Sequence, residues 1–310
     1  GVAVDRPVPC PAMTDALGFD GKVAIITGSG GGLGREHALM MAARGALVVV
    51  NDLGGAVDGT GSDKGAAARV VDEIRAAGGE AVPDTNSVSS AACGQAIVQT
   101  ALDAFGRVDI VVNNAGILRD KSFHNMTPDL WAPVVDVHLN GAYFVTNAAW
   151  PHMREQNYGR VISTASGAGI FGNFGQANYG AAKMALVGFT RVLAVEGAAK
   201  NIKANVIAPV AKTRMTEDLL GPLGDQVEPR YVSPIVTYLA HESCEPTGRV
   251  FSVAGGRVAE IFIGEGPGYT DTELSPESIA ANWDAVTNQD GYEVPSQMAD
   301  EIGMYLKHLS

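Results

Sequence analysis

Cysteine is scarce in this chain: Cys10, Cys93 and Cys244 are the three among 310 residues. They are odd in number, widely spaced and form no C-x-x-C pair, so neither a disulfide framework nor a zinc site is expected. A reducing, cytoplasmic setting is the expectation that follows. Basic residues are also in short supply, 22 Lys and Arg against 34 Asp and Glu, and the formal net charge of −12 argues against nucleic acid as a partner. No stretch approaches the roughly 20 uncharged apolar residues of a membrane-spanning helix. The six histidines show neither H-E-x-x-H nor another paired spacing, so no metal site is expected. Gly1–Ala12 lacks the basic segment and apolar run of a secretory signal, and the closing Lys307-His308-Leu309-Ser310 is not an S-K-L address. Residues 1–12 are set outside the fold as a disordered leader or remnant, with Met13 as the expected start.

What the chain does have is apolar sequence in short runs, 46% hydrophobic overall. Runs rich in β-branched residues recur at Lys22–Thr27, Ala46–Asn51, Val108–Asn113, Arg160–Thr164, Lys203–Ile207 and Arg249–Val253, with Ala-rich or amphipathic segments between most of them. That alternation predicts parallel strands joined by crossover helices. The runs are nearly continuous in their apolar character, so both faces of the sheet should be covered, giving an α/β, doubly wound, Rossmann-type three-layer sandwich. Glu80–Val82, followed by Pro83, reads as a short or edge strand. Residues 13–256 are expected to form this domain. The last 54 residues carry ten acids against Arg257 and Lys307, and read as an acidic C-terminal extension, 257–310, with helices from Pro276 through Trp283 and over Glu293–Leu309.

The first strand runs into Thr27-Gly28-Ser29-Gly30-Gly31-Gly32-Leu33-Gly34 and then into a helical stretch. Glycines there let the backbone approach a pyrophosphate, and the helix N-terminus supplies partial positive charge. The second strand ends in Asp52, 20 residues beyond Gly32, where a carboxylate accepts from the ribose hydroxyls of adenosine. No Arg or Lys between Asp52 and Lys64 could receive a 2′-phosphate, so the cofactor is expected to be NAD, not NADP. The fourth strand ends Asn113-Asn114-Ala115-Gly116, polar and small residues at the edge where ligands of open α/β sheets sit.

Tyr179 and Lys183 stand four residues apart, on one face of a helix. Ser166 lies thirteen residues before Tyr179, just past the strand Arg160–Thr164, and Asn140 falls in the apolar, helix-like stretch Val134–Val145. Together with Thr27–Gly34 and Asn113–Gly116, these residues resemble the short-chain dehydrogenase/reductase family over roughly Phe19 to Gly256. The resemblance implies a catalytic tetrad of Asn140, Ser166, Tyr179 and Lys183. In it Tyr179 is the acid/base, Lys183 also holds the nicotinamide ribose, Ser166 bonds the substrate oxygen, and Asn140 holds a water linking Lys183 to solvent. It further implies cofactor contacts from Gly28, Gly32, Leu33, Gly34, Asp52, Asn86, Ser87, Val88, Asn114, Ala115, Gly116, Tyr179, Lys183, Ala211 and Thr213. Asn86 takes the place of the family's usual acid near adenine, and Val210 follows Pro209 where most members have glycine.

Within that family, VVVNDLGG at Val48–Gly55 and the glycine-rich insertion after it are distinctive. So are NAGILRD at Asn114–Asp120, GNFGQANY at Gly172–Tyr179 and HESCE at His241–Glu245. They resemble the (3R)-hydroxyacyl-CoA dehydrogenases, the group that includes the dehydrogenase units of type 2 peroxisomal multifunctional enzymes, or type 4 17β-hydroxysteroid dehydrogenases. This implies NAD-dependent oxidation of a (3R)-hydroxyacyl-CoA, steroid side-chain or fatty acyl, to the 3-oxo thioester. Oxidation of a free steroid, 3-oxoacyl reduction, or a non-catalytic NAD sensor remain the alternatives. A homodimer or homotetramer is implied as well. Arg119, Lys121, Lys212 and Arg214 are candidates to meet the phosphates of coenzyme A. Ala211–Arg214 and the following Met215–Pro229 lie where the family closes a mobile segment over nicotinamide and substrate, and Gly221, Pro222 and Gly224 fit the lid this implies.

Overall fold

The computed structural model describes residues 16–63, 65–213 and 226–309. The leader, Arg214 and most of the expected lid, with Gly221, Pro222 and Gly224, lie outside them. Eight strands form one sheet: β1 Val23–Thr27, β2 Leu47–Asn51, β3 Glu80–Asp84, β4 Ile110–Asn113, β5 Gly159–Thr164, β6 Ile202–Pro209, β7 Val250–Ala254 and β8 Arg257–Ile261. Their order is β3-β2-β1-β4-β5-β6-β7-β8, parallel through β7. The doubly wound sheet is therefore as expected, and each apolar run became a strand within a few residues of its expected ends.

The physical reason for those continuous apolar runs is visible in the packing. Successive side chains point to opposite faces of a strand, so a strand covered on both sides must be apolar at every position. Ala24 and Ile26 of β1 join one core with Val48 and Val50 of β2 and Ile110 and Val112 of β4. Val23, Ile25, Val49 and Val111 join the other. The first core is closed by α1 (Gly32–Ala42), α2 (Gly65–Ala76) and the helix Ser233–Ala240; the second by α3 (Ala91–Phe105) and α5 (Gly141–Gln156). Pro83 is tolerated in β3 because that strand is the sheet edge, where a ladder donor can be missing.

Three features were not legible in the sequence. β8 pairs antiparallel with β7, Val250 opposite Ile261 through Ala254 opposite Arg257, so the extension begins by completing the sheet. The helices beyond it are shorter than expected, Pro276–Ala281, Trp283–Val286 and Met298–Leu309. Between α4 (Pro128–Val135) and α5 the chain widens into a π turn at Asp136–Asn140. Such turns change which side chains face inward, and they are enriched at functional sites.

Candidate active site

The site lies at the carboxyl ends of β1 and β4, where the strand order reverses. A cavity of about 440 Å³ opens there. Two loops form its floor. Thr27 Oγ1 accepts from Asn114 N at 3.0 Å and from Ala115 N at 3.1 Å. In return, the Asn114 side chain donates to Thr27 O at 3.1 Å and Gly28 O at 3.0 Å. Gly28 has φ +64°, and a Cβ there would meet Ala115 Cα at 2.7 Å. A Cβ on Gly34 would stand 2.4 Å from Gly28 O and 2.7 Å from Asn114 Nδ2. Gly34 therefore packs the helix against the loops and does not line the cavity.

At the start of α1 the N-cap is Gly31, which brings no side chain to cap the helix, and its first turn has no acid. The open N–H groups and helix dipole make this a site for an anion. Space in front of Gly31 is empty to 4 Å. Gly32, Leu33, Asn114, Ala115, Gly116 and Thr213 also line the cavity. These donors and this cradle fit a pyrophosphate. Ala211 is not among the residues that line it; it is buried and belongs to the core that includes Val232 and Val253.

Asp52 lines the cavity just past the end of β2, with Asn86, Ser87 and Val88. Its carboxylate already holds two backbone donors, Gly30 N at 2.8 Å and Gly54 N at 2.6 Å. The glycine-rich insertion closes one side of the cavity through Gly55, Ala56, Val57 and Gly59. It is tied to the loop after β4: Leu118 N donates to Val57 O at 2.9 Å and Arg119 Nε to Asp58 O at 2.9 Å. Arg119 Nη1 also donates to Asp129 O at 3.0 Å, so this guanidinium serves the loop. Sequence reasoning had offered Arg119 to coenzyme A and had given the insertion no part in the site.

Tyr179 and Lys183 stand on the first turns of α7 (Ala177–Gly197). Asn178 pins the start of this helix, donating to Arg119 O and Leu130 O at 2.9 Å each. Gln176 donates to Asp120 Oδ2 at 2.7 Å. Lys183 is buried, its ammonium donates to Thr164 O, and its Nζ lies 5.5 Å from the centroid of the Tyr179 ring. Burial pushes this lysine down to about 7. Burial also pushes the partly buried Tyr179 phenol up; the Ser166 hydroxyl pulls it down, and the charge of Asp120 pushes it up again. Ser166 caps α6 (Gly167–Phe171), with Oγ accepting from Ala168 N at 3.2 Å. Ser166, Tyr179 and Lys183 thus come together.

Asn140 does not join them. Its Nδ2 donates to Asp136 Oδ1 at 2.8 Å, one turn back on its own helix. The π turn instead brings His138 inward. The buried His138 ring meets Tyr179 edge to face, and its Nε2 lies 2.8 Å from Ile117 O and 3.1 Å from Ile117 N. Burial, with the charge of Lys183, holds this imidazole well below its usual range, so it is neutral. Among the described residues its Nδ1 has no hydrogen-bond partner. The residue two places before Asn140 was missed because nothing in an apolar helical pattern signals the extra residue of a π turn.

A family model described as short chain dehydrogenase matches residues 22–221. The chain is 50% identical to peroxisomal multifunctional enzyme A of Dictyostelium discoideum, over 93% of this chain and 65% of that protein. It is 50% identical to a putative short-chain type dehydrogenase/reductase of Mycobacterium tuberculosis, over 89% of this chain and 98% of the relative. A hydroxyacyl-CoA dehydrogenase of the same organism is 36% identical over 86% of this chain and 90% of its own length. Among solved structures, the full-length peroxisomal multifunctional enzyme type 2 from Drosophila melanogaster superposes with a TM-score of 0.80 at 41% identity, covering 94% of this chain and 50% of that one. The chain thus spans about a third to two thirds of the length of the multifunctional proteins it matches.

Proposed function

The chain belongs to the short-chain dehydrogenase family, an oxidoreductase family, and from that premise we propose that it oxidises a (3R)-hydroxyacyl-CoA to the 3-oxoacyl-CoA with NAD. The observation that carries this reading is the convergence of Ser166, Tyr179 and Lys183 beside a cavity with an uncapped helix N-terminus at one place and Asp52 at another. The substrate class is supported by the name of the 36% identical hydroxyacyl-CoA dehydrogenase.

A nicotinamide dinucleotide bound in this cavity would supply the hydride acceptor. Gly28, Gly32, Leu33, Asn114, Ala115, Gly116 and Thr213 would hold its phosphates and ribose, with Asp52, Asn86, Ser87 and Val88 at the adenosine. Asp52 repels a 2′-phosphate, which supports NAD over NADP. The reaction breaks the carbinol C–H and O–H bonds. Tyr179 Oη, as phenolate, takes the hydroxyl proton while the hydride leaves the same carbon and a carbonyl forms. Ser166 Oγ donates to the substrate oxygen, and the Lys183 ammonium stabilises the phenolate. Lys183, 5.5 Å from the ring centroid, acts on Tyr179 by charge. His138 holds the ring and the Ile117 backbone in place.

Residues 13–256 form the dehydrogenase domain in this reading, and 257–310 an acidic extension. The exposed Met184, Val192 and Val195 on α7 support a homodimer or homotetramer. Among the described residues no helix is long and apolar enough to cross a membrane, and Cys93 and Cys244 are unpaired, which fits a reducing compartment.

The test is NADH formation from a matched panel: a medium-chain (3R)-hydroxyacyl-CoA, its (3S) isomer, a steroid side-chain 3-hydroxyacyl-CoA and free 17β-estradiol. A (3R) thioester should exceed the free steroid many-fold in kcat/KM. Turnover of the free steroid alone overturns the substrate, and no turnover with retained NAD binding points to a sensor.

A further inference from the structure

A buried carboxylate at the end of β3 has no part in the chemistry above. Asp84 is 5% exposed, and four donors converge on its two oxygens. Oδ1 accepts from Asn51 Nδ2 at 2.7 Å and Asn86 N at 2.9 Å. Oδ2 accepts from Asn86 Nδ2 at 2.8 Å and Thr100 Oγ1 at 2.7 Å. Asn51 Nδ2 also donates to Asn86 O at 2.9 Å. Asn86 is therefore held by its backbone N–H, its backbone carbonyl and its side-chain nitrogen.

The chemistry of the partners dictates how the Asn86 amide faces. A carboxylate only accepts, so the group turned toward it must be the NH₂. Besides the second N–H, the amide leaves Oδ1, an acceptor, on a residue that lines the cavity. An unrestrained asparagine could turn its amide by a half rotation and offer a donor instead. Here that rotation would set Oδ1 against Asp84 Oδ2, two acceptors in contact, and leave a buried oxygen short of a donor.

We propose that Asp84 is a specificity-determining positioning residue: by locking the Asn86 amide, it makes the adenosine end of the cavity read a purine with an exocyclic amine and reject one with a carbonyl there. Adenine presents an N–H donor at that position and hypoxanthine an oxygen. This rests on the NAD reading above and adds the base discrimination that Asp52, a ribose-facing residue in that reading, does not supply. The identity of residue 86 matters less than its orientation, because a free amide would serve both bases.

The test measures binding of NAD and of nicotinamide hypoxanthine dinucleotide to the full chain by calorimetry, in the unaltered protein, Asn86→Ala and Asp84→Asn. The unaltered protein should favour NAD by about tenfold or more. In Asn86→Ala most of that preference should vanish. In Asp84→Asn the new amide N–H lets Asn86 turn, and the preference should fall to near one or invert, while a melting curve reports whether the fold is kept. Equal binding of the two dinucleotides by the unaltered protein overturns the proposal and leaves the NAD reading standing. Failure to bind either one overturns the NAD reading itself. Should Asp84→Asn not fold, the Asn86→Ala comparison decides: a preference that survives it overturns the lock, and one that depends on Asn86 requires a fixed amide.

Discussion

The rings of His138 and Tyr179 meet with centroids 5.1 Å apart and planes at 89°. The two rings thus meet edge to face, a favoured geometry for an aromatic pair. The same imidazole holds Ile117, which lines the cavity. One buried side chain therefore sets Tyr179 and the loop after β4 relative to each other.

Replacing His138 with Phe keeps a ring against Tyr179 and removes the tie to Ile117. The expected result is a fall in kcat of about 10- to 100-fold with only a small change in melting temperature. Steady-state kinetics beside a melting curve separate the two: unchanged kcat with lowered stability would make His138 a space-filling residue only.

The charge of Asp120 raises the Tyr179 phenol, and oxidation requires the phenolate. Asp120→Asn removes that charge and keeps an acceptor for Gln176. The phenol then ionises more easily, so the rising limb of kcat/KM for oxidation should move to lower pH, while the reductive direction, which uses the neutral phenol, should gain nothing. A pH–rate profile in both directions checks this; an unmoved or alkaline-shifted limb contradicts it.

Lys183 carries a stability cost with a defined pH window. Its pKa is lowered from 10.5 to about 7 in the folded chain, so between those values the unfolded chain binds more protons. Stability from this group therefore rises with pH from about 7 to 10.5, and the penalty is fully present below 7. Lys183→Met should be inactive yet more stable at pH 6, by about 1 kcal/mol or more, with the gain shrinking as pH rises. Chemical denaturation of both proteins at pH 6 and pH 9 is the measurement; equal differences at the two values would refute the burial argument.

Asp52 serves the fold and the proposed cofactor choice together, because Gly30 N and Gly54 N both donate to it. Asp52→Ala should lower the NAD over NADP preference at least about tenfold, and the two lost bonds should cost about 1–3 kcal/mol of stability. Dinucleotide titrations and a denaturant curve report the two effects separately. A preference unchanged in the variant would remove Asp52 from cofactor selection.

The parallel strands, the two-faced sheet and the glycine turn could be read from residues because each depends on local pattern. A strand buried on both faces must be apolar at consecutive positions, and a helix start that approaches a phosphate needs glycine at fixed spacing. Tyr179 and Lys183 were equally legible, since four residues along a helix set two side chains on one face. The amino-acid order by itself thus determined the doubly wound sheet, the nucleotide turn and the helix face bearing the acid/base pair.

Tertiary structure decided the rest, because those features depend on partners distant in the chain. A single extra residue in the π turn exchanges Asn140 for His138 beside Tyr179, and no periodicity announces it. Arg119 proved to hold the insertion through Asp58 O, a partner 61 positions away. β8 joined the sheet only because β7 offered it an unpaired edge. What fixes Asn86 against Asp84 shows only when burial removes water and leaves their donors and acceptors protein partners alone, and that desolvation exists only in the folded chain.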